Sequence, residues 1–382
     1  MRIALFADSW FPTVDGVAVS AMADYLRLQE QGHDVTVYVP KMPGMKKNGA
    51  PVHPWLSLPV PHYKDHAVAM LPPPSFLTKV GGYDLVYYHG TTPSFAYSCL
   101  AQARLLGQRF VWRFTTFVPD YLRHAESFIH SYAAPYIGDR LANYAAKGAS
   151  NLMDKVWTHF LQHVPYAVVA NESCANYVAE RSKAKVLVIP PRPLPPGRVQ
   201  ADPLPNIPRG KRIALLSRLS PEKSLEPAID TFIQHISPKH PDAHLIMMGD
   251  GPAREGLERR ANGHPNVKFV GMVPNEKVHN WLSHSDLFLF TSLSETHGLV
   301  VEEAKRASLP VVAFDDDRGV AAQVRDGNCG RLAPAGRNDV LGAMANELLS
   351  NEPLRKELGA QAKKDHERTS APVQAFFPDL WL

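Results

Sequence analysis

The chain has 382 residues, of which 45% are hydrophobic and 20% charged, a globular composition that excludes global disorder and is too long for one ordinary core. A formal charge of +4 is small for this size, and without a basic stripe carrying interleaved aromatics it argues against nucleic acid as a partner. Cys99, Cys174 and Cys329 are the three cysteines, spaced too widely for a metal knuckle or a disulfide framework, so a reducing compartment is the simpler expectation.

In chain order, residues 2 to 7 read as a buried strand that reaches Asp8 after five apolar residues. Five are too few for a signal-peptide core, and no later run is long enough to span a bilayer. The expected location is therefore the cytoplasm, as a soluble or peripheral protein. A polar loop to Gly16, an apolar-periodic helix from Val17 to Glu30 and a second strand from Asp34 to Val39 complete a parallel βαβ unit, which predicts an open doubly wound sheet. Ligands of such sheets bind beyond the carboxyl ends of the strands, which places Gly16 at a binding rim. Residues 40 to 74 carry nine prolines together with Lys46 and Lys47 and are expected to be irregular. These lysines and their neighbours Met42 and Met45 are candidates for contact with an anionic membrane surface, although exposed lysines more often serve only solubility. A strand over 84–88 ends at His89-Gly90, a helix over 94–106 follows, and a strand over 109–113 leads to Thr115 and Thr116. His89 falls on the same rim as Gly16, and position alone leaves a structural and a catalytic role equally open. Residues 121 to 163 read as mainly helical, and 166–170 and 185–189 as short strands.

Residues 190 to 208 hold eight prolines in nineteen positions, which suits an extended linker and neither helix nor sheet. The pattern then restarts: strands over 211–217, 244–248, 267–270, 286–290 and 310–314 alternate with helices over 225–236, 253–261, 276–283 and 299–307. This predicts a second doubly wound α/β domain, with chemistry in a cleft between the two. The expected boundaries are 1–192, a linker 193–209, 210–364, and a tail 365–382 folding back on the first domain.

Four features of the second half carry the chemistry. Arg218 and Lys223 flank a Ser-Pro turn just after a strand, where two cations suit a diphosphate leaving group, or only a solvated turn. Glu295 and Glu303 lie eight positions apart, on either side of His297 and Gly298. The amides of Gly298, Leu299 and Val300 would open a helix and face an anion, while the glutamates would accept hydroxyls beside it. Spacing alone equally allows a helix-start acid and a solvated helix residue. Met247-Met-Gly-Asp-Gly-Pro-Ala-Arg254 resembles a dinucleotide turn, but Arg254 stands where a small residue is needed, so an oxidoreductase is a weak alternative. Asp315-Asp-Asp317 is the nearest approach to a metal site and reads better as a polar loop.

These residues resemble a known family. Phe11-Pro-Thr-Val-Asp-Gly-Val17, Arg218 with Glu222-Lys223, Gly249-Asp-Gly-Pro252, Phe269-Val-Gly271 and Glu295-Thr-His-Gly-Leu-Val-Val-Glu-Glu303 together are similar to the retaining glycosyltransferases of family 4, with the two-domain GT-B fold. The resemblance implies that Arg218 and Lys223 hold the diphosphate of a nucleotide sugar, helped by the amides from Gly298 to Val300. It implies that Glu303 binds the ribose, that Glu295 binds the transferred sugar, that Gly16 allows close approach to the phosphates, and that His89 stands near the anomeric carbon. It also implies a UDP-linked donor such as UDP-glucose, no metal and no other cofactor. Leu58-Pro-Val-Pro-His-Tyr63 with Leu71-Pro72, and Arg113-Phe-Thr-Thr-Phe-Val-Pro-Asp-Tyr121, are most similar to the sulfolipid synthases and diacylglycerol glycosyltransferases. Thr115, Thr116 and Tyr121 are then acceptor-side candidates. Two departures stand out: Thr115 replaces a usual histidine, and Pro190-Pro-Arg-Pro193 replaces a usual Asn-Gly-Val-Asp element. The expected acceptor is a membrane lipid, with a soluble glycan or metabolite as the alternative. A non-catalytic nucleotide-sugar-binding subunit and a sugar-nucleotide epimerase are further readings.

Overall fold

A computed structural model describes residues 1–13, 15–42, 44–60, 63–69, 81–204, 206–207 and 211–370. They form two compact units, the first running from Met1 to Pro191 and the second beginning at Arg192. The proposed tail contact of Phe376–Leu382 lies outside the described residues.

In the first unit, β1 (Arg2–Ala7), β2 (Asp34–Pro40) and β3 (Val52–Trp55) are followed by an antiparallel pair, β4 (Ser57–Val60) and β5 (Tyr63–Ala69). Then come β6 (Leu85–His89), β7 (Arg109–Arg113), β8 (Tyr166–Val169) and β9 (Lys185–Val188). Seven of these make one parallel sheet in the order β3-β2-β1-β6-β7-β8-β9. Helices α1 (Gly16–Glu30), α2 (Pro93–Leu105), α3 (Val118–Ile137), α4 (Asp139–Leu161) and α5 (Glu172–Ala179) complete the unit. The central strands are apolar on both faces because helices cover both: Ile3 to Ala7 are all buried. Asp15 caps α1 by accepting from the Ala18 amide at 2.8 Å, and Ser9 Oγ donates to the same carboxylate oxygen at 2.7 Å. The stretch expected to be irregular thus contains three strands. Pro54 is tolerated because β3 is the edge of its sheet. Met42 is buried, and Thr13 Oγ1 donates to its sulfur at 3.8 Å. It therefore has no face to offer a membrane, a correction to the expectation above.

The second unit is a six-stranded parallel sheet. Its strands are β10 (Arg212–Leu216), β11 (His244–Met248), β12 (Val267–Gly271), β13 (Leu287–Phe290), β14 (Val311–Phe314) and β15 (Gly330–Ala333), in the order β12-β11-β10-β13-β14-β15. Its helices are α6 (Glu226–Thr231, continued by one wider turn to Ile236), α7 (Arg254–Ala261), α8 (Asn275–Ser283), α9 (Leu299–Arg306), α10 (Gly319–Asp326), α11 (Asn338–Ser350) and α12 (Glu352–Ser370). The proline-rich segment is not a free tether. Arg212, nearly fully buried, bonds Asp202 at 2.8 Å and the Leu204 carbonyl at 2.6 Å, and Arg306 reaches the Leu194 carbonyl at 2.6 Å. These contacts fasten residues 194–204 to the second unit. Nor does the second unit stop at 364. The helix α12 continues to Ser370 because Asp365 and His366 ion-pair with Lys305 and Glu302, at 2.7 and 2.8 Å.

In each sheet the chain turns back beside one central strand, between β1 and β6 in the first and between β10 and β13 in the second. The loops that leave those strands at their carboxyl ends diverge there and leave a crevice. Gly16, Arg218, Lys223 and Glu295 lie on or beside such loops, while His89 ends β6, Glu303 lies in α9, Thr115 and Thr116 follow β7 and Tyr121 lies in α3.

Candidate active site

In the second unit the crevice is framed by the loop after β10 and the loop after β13. The first is pinned from below: Ser217 and Leu219 amides donate to the carbonyls of Met248 and Asp250, at 3.0 and 2.9 Å. That contact is why Gly249 cannot be replaced, since a Cβ there would come within 1.9 Å of the Ser217 carbonyl oxygen. The Gly-Asp-Gly segment is thus a seat for the Arg218 turn and not a dinucleotide cradle. Pro221–Lys223 makes one 3-10 turn, ended by Ser224 at φ 46, whose carbonyl accepts from Thr291 Oγ1 at 2.9 Å. This bond joins the two loops.

Across that junction Lys223 Nζ stands 2.7 Å from Glu295 Oε1, and both side chains are largely buried. Arg218 has a partner that the sequence reading missed. Its Nη2 lies 2.5 Å from Glu222 Oε1, which also accepts from Ser220 Oγ at 2.6 Å. Burial pushes the Glu222 carboxyl up, but the Ser220 hydroxyl and the Arg218 guanidinium together hold it below the usual range. The i, i+4 spacing was the available signal. The structure therefore brings Arg218, Lys223 and Glu295 to one rim.

Gly298 starts α9 in the left-handed region at φ 84, and an added Cβ would meet Val320 Cγ2 at 3.1 Å. Glycine is required here by backbone and packing alike. The first helical amides, those of Leu299 and Val300, have no carbonyl acceptor among the described residues, as expected at a helix start. Within α9 the adjacent acids behave oppositely. Glu302 bonds Lys305 and His366, at 2.7 and 2.8 Å. Burial alone would raise its carboxyl, yet His366 and Lys305 hold it down to about 2. Glu303 is 8% exposed, and its carboxylate makes no hydrogen bond among the described residues. Burial raises it to about 7, only partly countered by Arg306. A buried carboxyl without a donor is costly to keep and is the kind of group that hydroxyls of a ligand would satisfy. His297 is buried, with Nε2 3.8 Å from Glu302 Oε1, and its carbonyl accepts from Gln323 Nε2. Its ring is thus engaged with the Glu302 cluster. The three aspartates after β14 serve the local fold: Asp316 receives the Val320 and Ala321 amides at the start of α10, and Asp315 and Asp317 both face Arg325. Among the described residues no metal cluster is present.

In the first unit the rim is closed on itself. Ala7, His89 and Arg113 are neighbours in register at the strand ends. Asp8 accepts from the amides of Thr91 and Thr92 at 2.6 and 2.8 Å and from the Tyr88 hydroxyl at 2.8 Å, although burial still raises its carboxyl to about 6. His89 is fully buried, and its Nε2 lies 3.3 Å from Asp24 Oδ2 of α1. The same carboxylate accepts from the Tyr87 hydroxyl at 2.9 Å and faces Arg113 at 3.9 Å. Burial lowers the His89 imidazole more than Asp24 raises it, which keeps the ring neutral at pH 7. His89, expected near the anomeric carbon, thus lies fully buried at its strand end beside Asp24. A Cβ on Gly16 would meet nothing within 4 Å. Thr115 and Thr116 are half-buried beyond β7, with Thr115 Oγ1 unpartnered among the described residues. Tyr121 lies in the first turns of α3.

Comparison with known proteins agrees with this geometry. Residues 14–191 match the Glycosyltransferase Family 4 description, and residues 202–365 match Glycosyl transferases group 1. The chain is 25% identical to the sulfoquinovosyl transferase SQD2 of Arabidopsis thaliana over 393 aligned positions, covering 96% of this chain and 70% of that protein. It is also 25% identical to the alpha-monoglucosyldiacylglycerol synthase of Acholeplasma laidlawii, covering 95% of each. The crystal structure of Anabaena HepE in complex with UDP-glucose superposes with a TM-score of 0.70 at 16% identity, over 97% of this chain and 95% of that one. Two parallel-sheet units of this order are the GT-B fold. With both halves matched by models of these glycosyltransferases, and relatives of the same kind aligned along nearly all of this chain, the chain belongs to glycosyltransferase family 4.

Proposed function

We propose that the protein is a retaining α-glycosyltransferase that moves a hexosyl group from a UDP-sugar to a membrane lipid such as diacylglycerol or a glycolipid. The observation that carries the donor half is the rim of the second unit. Two cations on the loop after β10, and a pair of open amides and a buried carboxyl without a hydrogen-bond donor among the described residues on α9, stand around one crevice. Lys223, Arg218 and the amides of Leu299 and Val300 bind the diphosphate. Glu303 takes the ribose hydroxyls and Glu295 those of the transferred sugar.

As the bond between the anomeric carbon and the phosphate oxygen breaks, negative charge grows on the diphosphate, where the fixed cations oppose it. The acceptor oxygen attacks from the face the phosphate leaves, and its proton passes to the departing phosphate oxygen, which preserves configuration. Charge neutralisation rests on Arg218 and Lys223, so turnover should persist in a chelator; loss of turnover in EDTA, restored by a divalent cation, would refute this part. The lipid acceptor draws support from the names of two relatives, both alpha-monoglucosyldiacylglycerol synthases, that align with more than nine-tenths of this chain.

Calorimetric titration with a panel of sugar nucleotides, followed by assay of the bound donor against diacylglycerol liposomes and soluble glycans, tests both halves. Failure of every sugar nucleotide to bind at millimolar concentration removes the donor assignment. Transfer only to soluble acceptors removes the lipid assignment.

A further inference from the structure

Charged side chains of α9 and α12 form one chain of bonds that leaves α12 and returns to it. His366 Nδ1 donates to Glu302 Oε2 at 2.8 Å, Lys305 Nζ bridges Glu302 Oε1 and Asp365 Oδ2 at 2.7 Å each, and Arg368 Nη2 meets Asp365 Oδ1 at 2.5 Å. The side chains of Glu302, Lys305, Asp365 and His366 are only 6, 1, 7 and 11% exposed, so the cluster is internal. The seat around it is close-fitted. A Cβ on Gly327, which ends α10, would stand 2.8 Å from Asp365 Oδ2, and a Cβ on Gly359 of α12 would collide with the Ser308 carbonyl oxygen just past α9.

Stability does not account for this cluster. Apolar side chains of similar volume would hold two helices together as well or better, because each buried charge carries a desolvation cost that its partner at best offsets. What the charges add is direction: bonds to both oxygens of one carboxylate fix how far α9 can roll on α12, which apolar contacts leave loose. That roll decides where the next residue points. Glu303 follows Glu302 by about 100° around the axis, and the open amides of Leu299 and Val300 begin the same eight-residue helix. At about 5–6 Å from the axis, a roll of about 10° carries a carboxylate about 1 Å, a displacement that costs about 100-fold in a site built for one geometry. We infer that Glu302, Lys305, Asp365 and His366 are positioning residues of the donor site, which fix the rotation of α9 on α12 and so aim Glu303 and the helix-start amides without touching substrate. This rests on the donor assignment proposed above. It makes the last turns of α12 a requirement for binding a sugar nucleotide.

The test uses the full chain, calorimetric titration with UDP-glucose, steady-state kinetics and the crystal structure of one variant. The apolar replacement Glu302→Leu, Lys305→Met, Asp365→Ala, His366→Leu is expected to unfold no earlier than wild type. It should bind UDP-glucose about tenfold more weakly, with α9 rolled and the Glu303 carboxylate displaced by about 1 Å. His366→Asn, whose amide can donate from the place of Nδ1, should keep the donor KM within about twofold of wild type, whereas His366→Leu should raise it about fivefold with kcat little changed. Leu348→Ala truncates a fully buried side chain of α11. It should lower the unfolding midpoint without moving the donor KM. Wild-type affinity or an unrotated α9 in the apolar variant overturns the inference, and so does an equal KM for the two His366 variants or a KM raised in Leu348→Ala. If the wild-type chain binds no sugar nucleotide, the donor assignment falls by itself; a rolled α9 in the apolar variant then still upholds the seat, and an unmoved one removes it.

Discussion

The two units share a sheet type and a switch point, yet one buried carboxylate in each, Asp24 and Glu303, is treated in the opposite way. In the first, Asp24 sits among Arg113, His89, Arg27 and the Tyr87 hydroxyl. Burial would raise its carboxyl, but Arg113 leads a set of partners that hold it well below the usual range. In the second, Glu303 has been taken from water with no such set, and burial raises it. One carboxylate has been given its partners by the chain itself; the other lacks them. An interior group lacking compensation marks a place where the molecule is built for something other than its own stability.

The sharpest way to break this comparison is Asp24→Ala, which strands Arg113 and should cost about 3–5 kcal/mol in urea unfolding. Asp24 titrates lower in the folded chain than the unfolded 3.8, so its contribution is present above that value and fades as the pH falls through the folded one. A variant as stable as wild type at pH 7 would show the cluster to be inert. Next in size, Glu295→Ala or Lys223→Ala should lower transfer by about 100- to 1,000-fold, with a loss of stability smaller than that of Asp24→Ala because both side chains keep some contact with water. Normal turnover in either would remove that residue from the mechanism.

Glu303→Gln should act in the reverse sense to Asp24→Ala. Ionising a carboxyl displaced from 4.5 to about 7 costs up to roughly 3 kcal/mol. Stability from this group is full below pH 4.5 and is lost as the pH rises toward 7. The glutamine variant should therefore equal wild type near pH 4 and exceed it at pH 8, while its donor KM rises about tenfold. A glutamine chain weaker than wild type at pH 8 would reveal a hidden stabilising partner. Gly298→Ala, forced to hold φ 84 against Val320, should lose about 1–2 kcal/mol. The smallest expected effect on stability is that of Gly16→Ala, within about 0.5 kcal/mol, so a raised donor KM there would report a ligand and not the fold.

Much of the second unit was legible before any coordinates. The strand over 244–248 and the α9 start at Leu299 were read to the residue, because buried parallel strands are continuous apolar runs and a glycine before such a helix is a strong punctuation mark. The segment around β3, β4 and β5 was misread, since proline in an edge strand cancels the usual strand signal. What sequence could not supply were the pairings made at a distance. Asp24 and His89 are brought together only by the packing of α1 on the sheet. Lys223 and Glu295 meet only because strand order places β13 beside β10. Local periodicity carries no information about either. Glu222 is the exception: it stands one helical turn from Arg218, a spacing at which such a pair can be read locally.

The contact between Lys223 and Glu295 has a bearing on what the protein lets go. Each neutralises the other across 2.7 Å. On the proposed reading, an incoming molecule must part them, and an activated sugar compensates both at once, phosphate for the ammonium and hydroxyl for the carboxylate. The spent nucleotide offers only the phosphate, which leaves the glutamate to draw the lysine back. The reunited pair would thus favour departure of the used nucleotide and discourage free phosphate from lodging in its place.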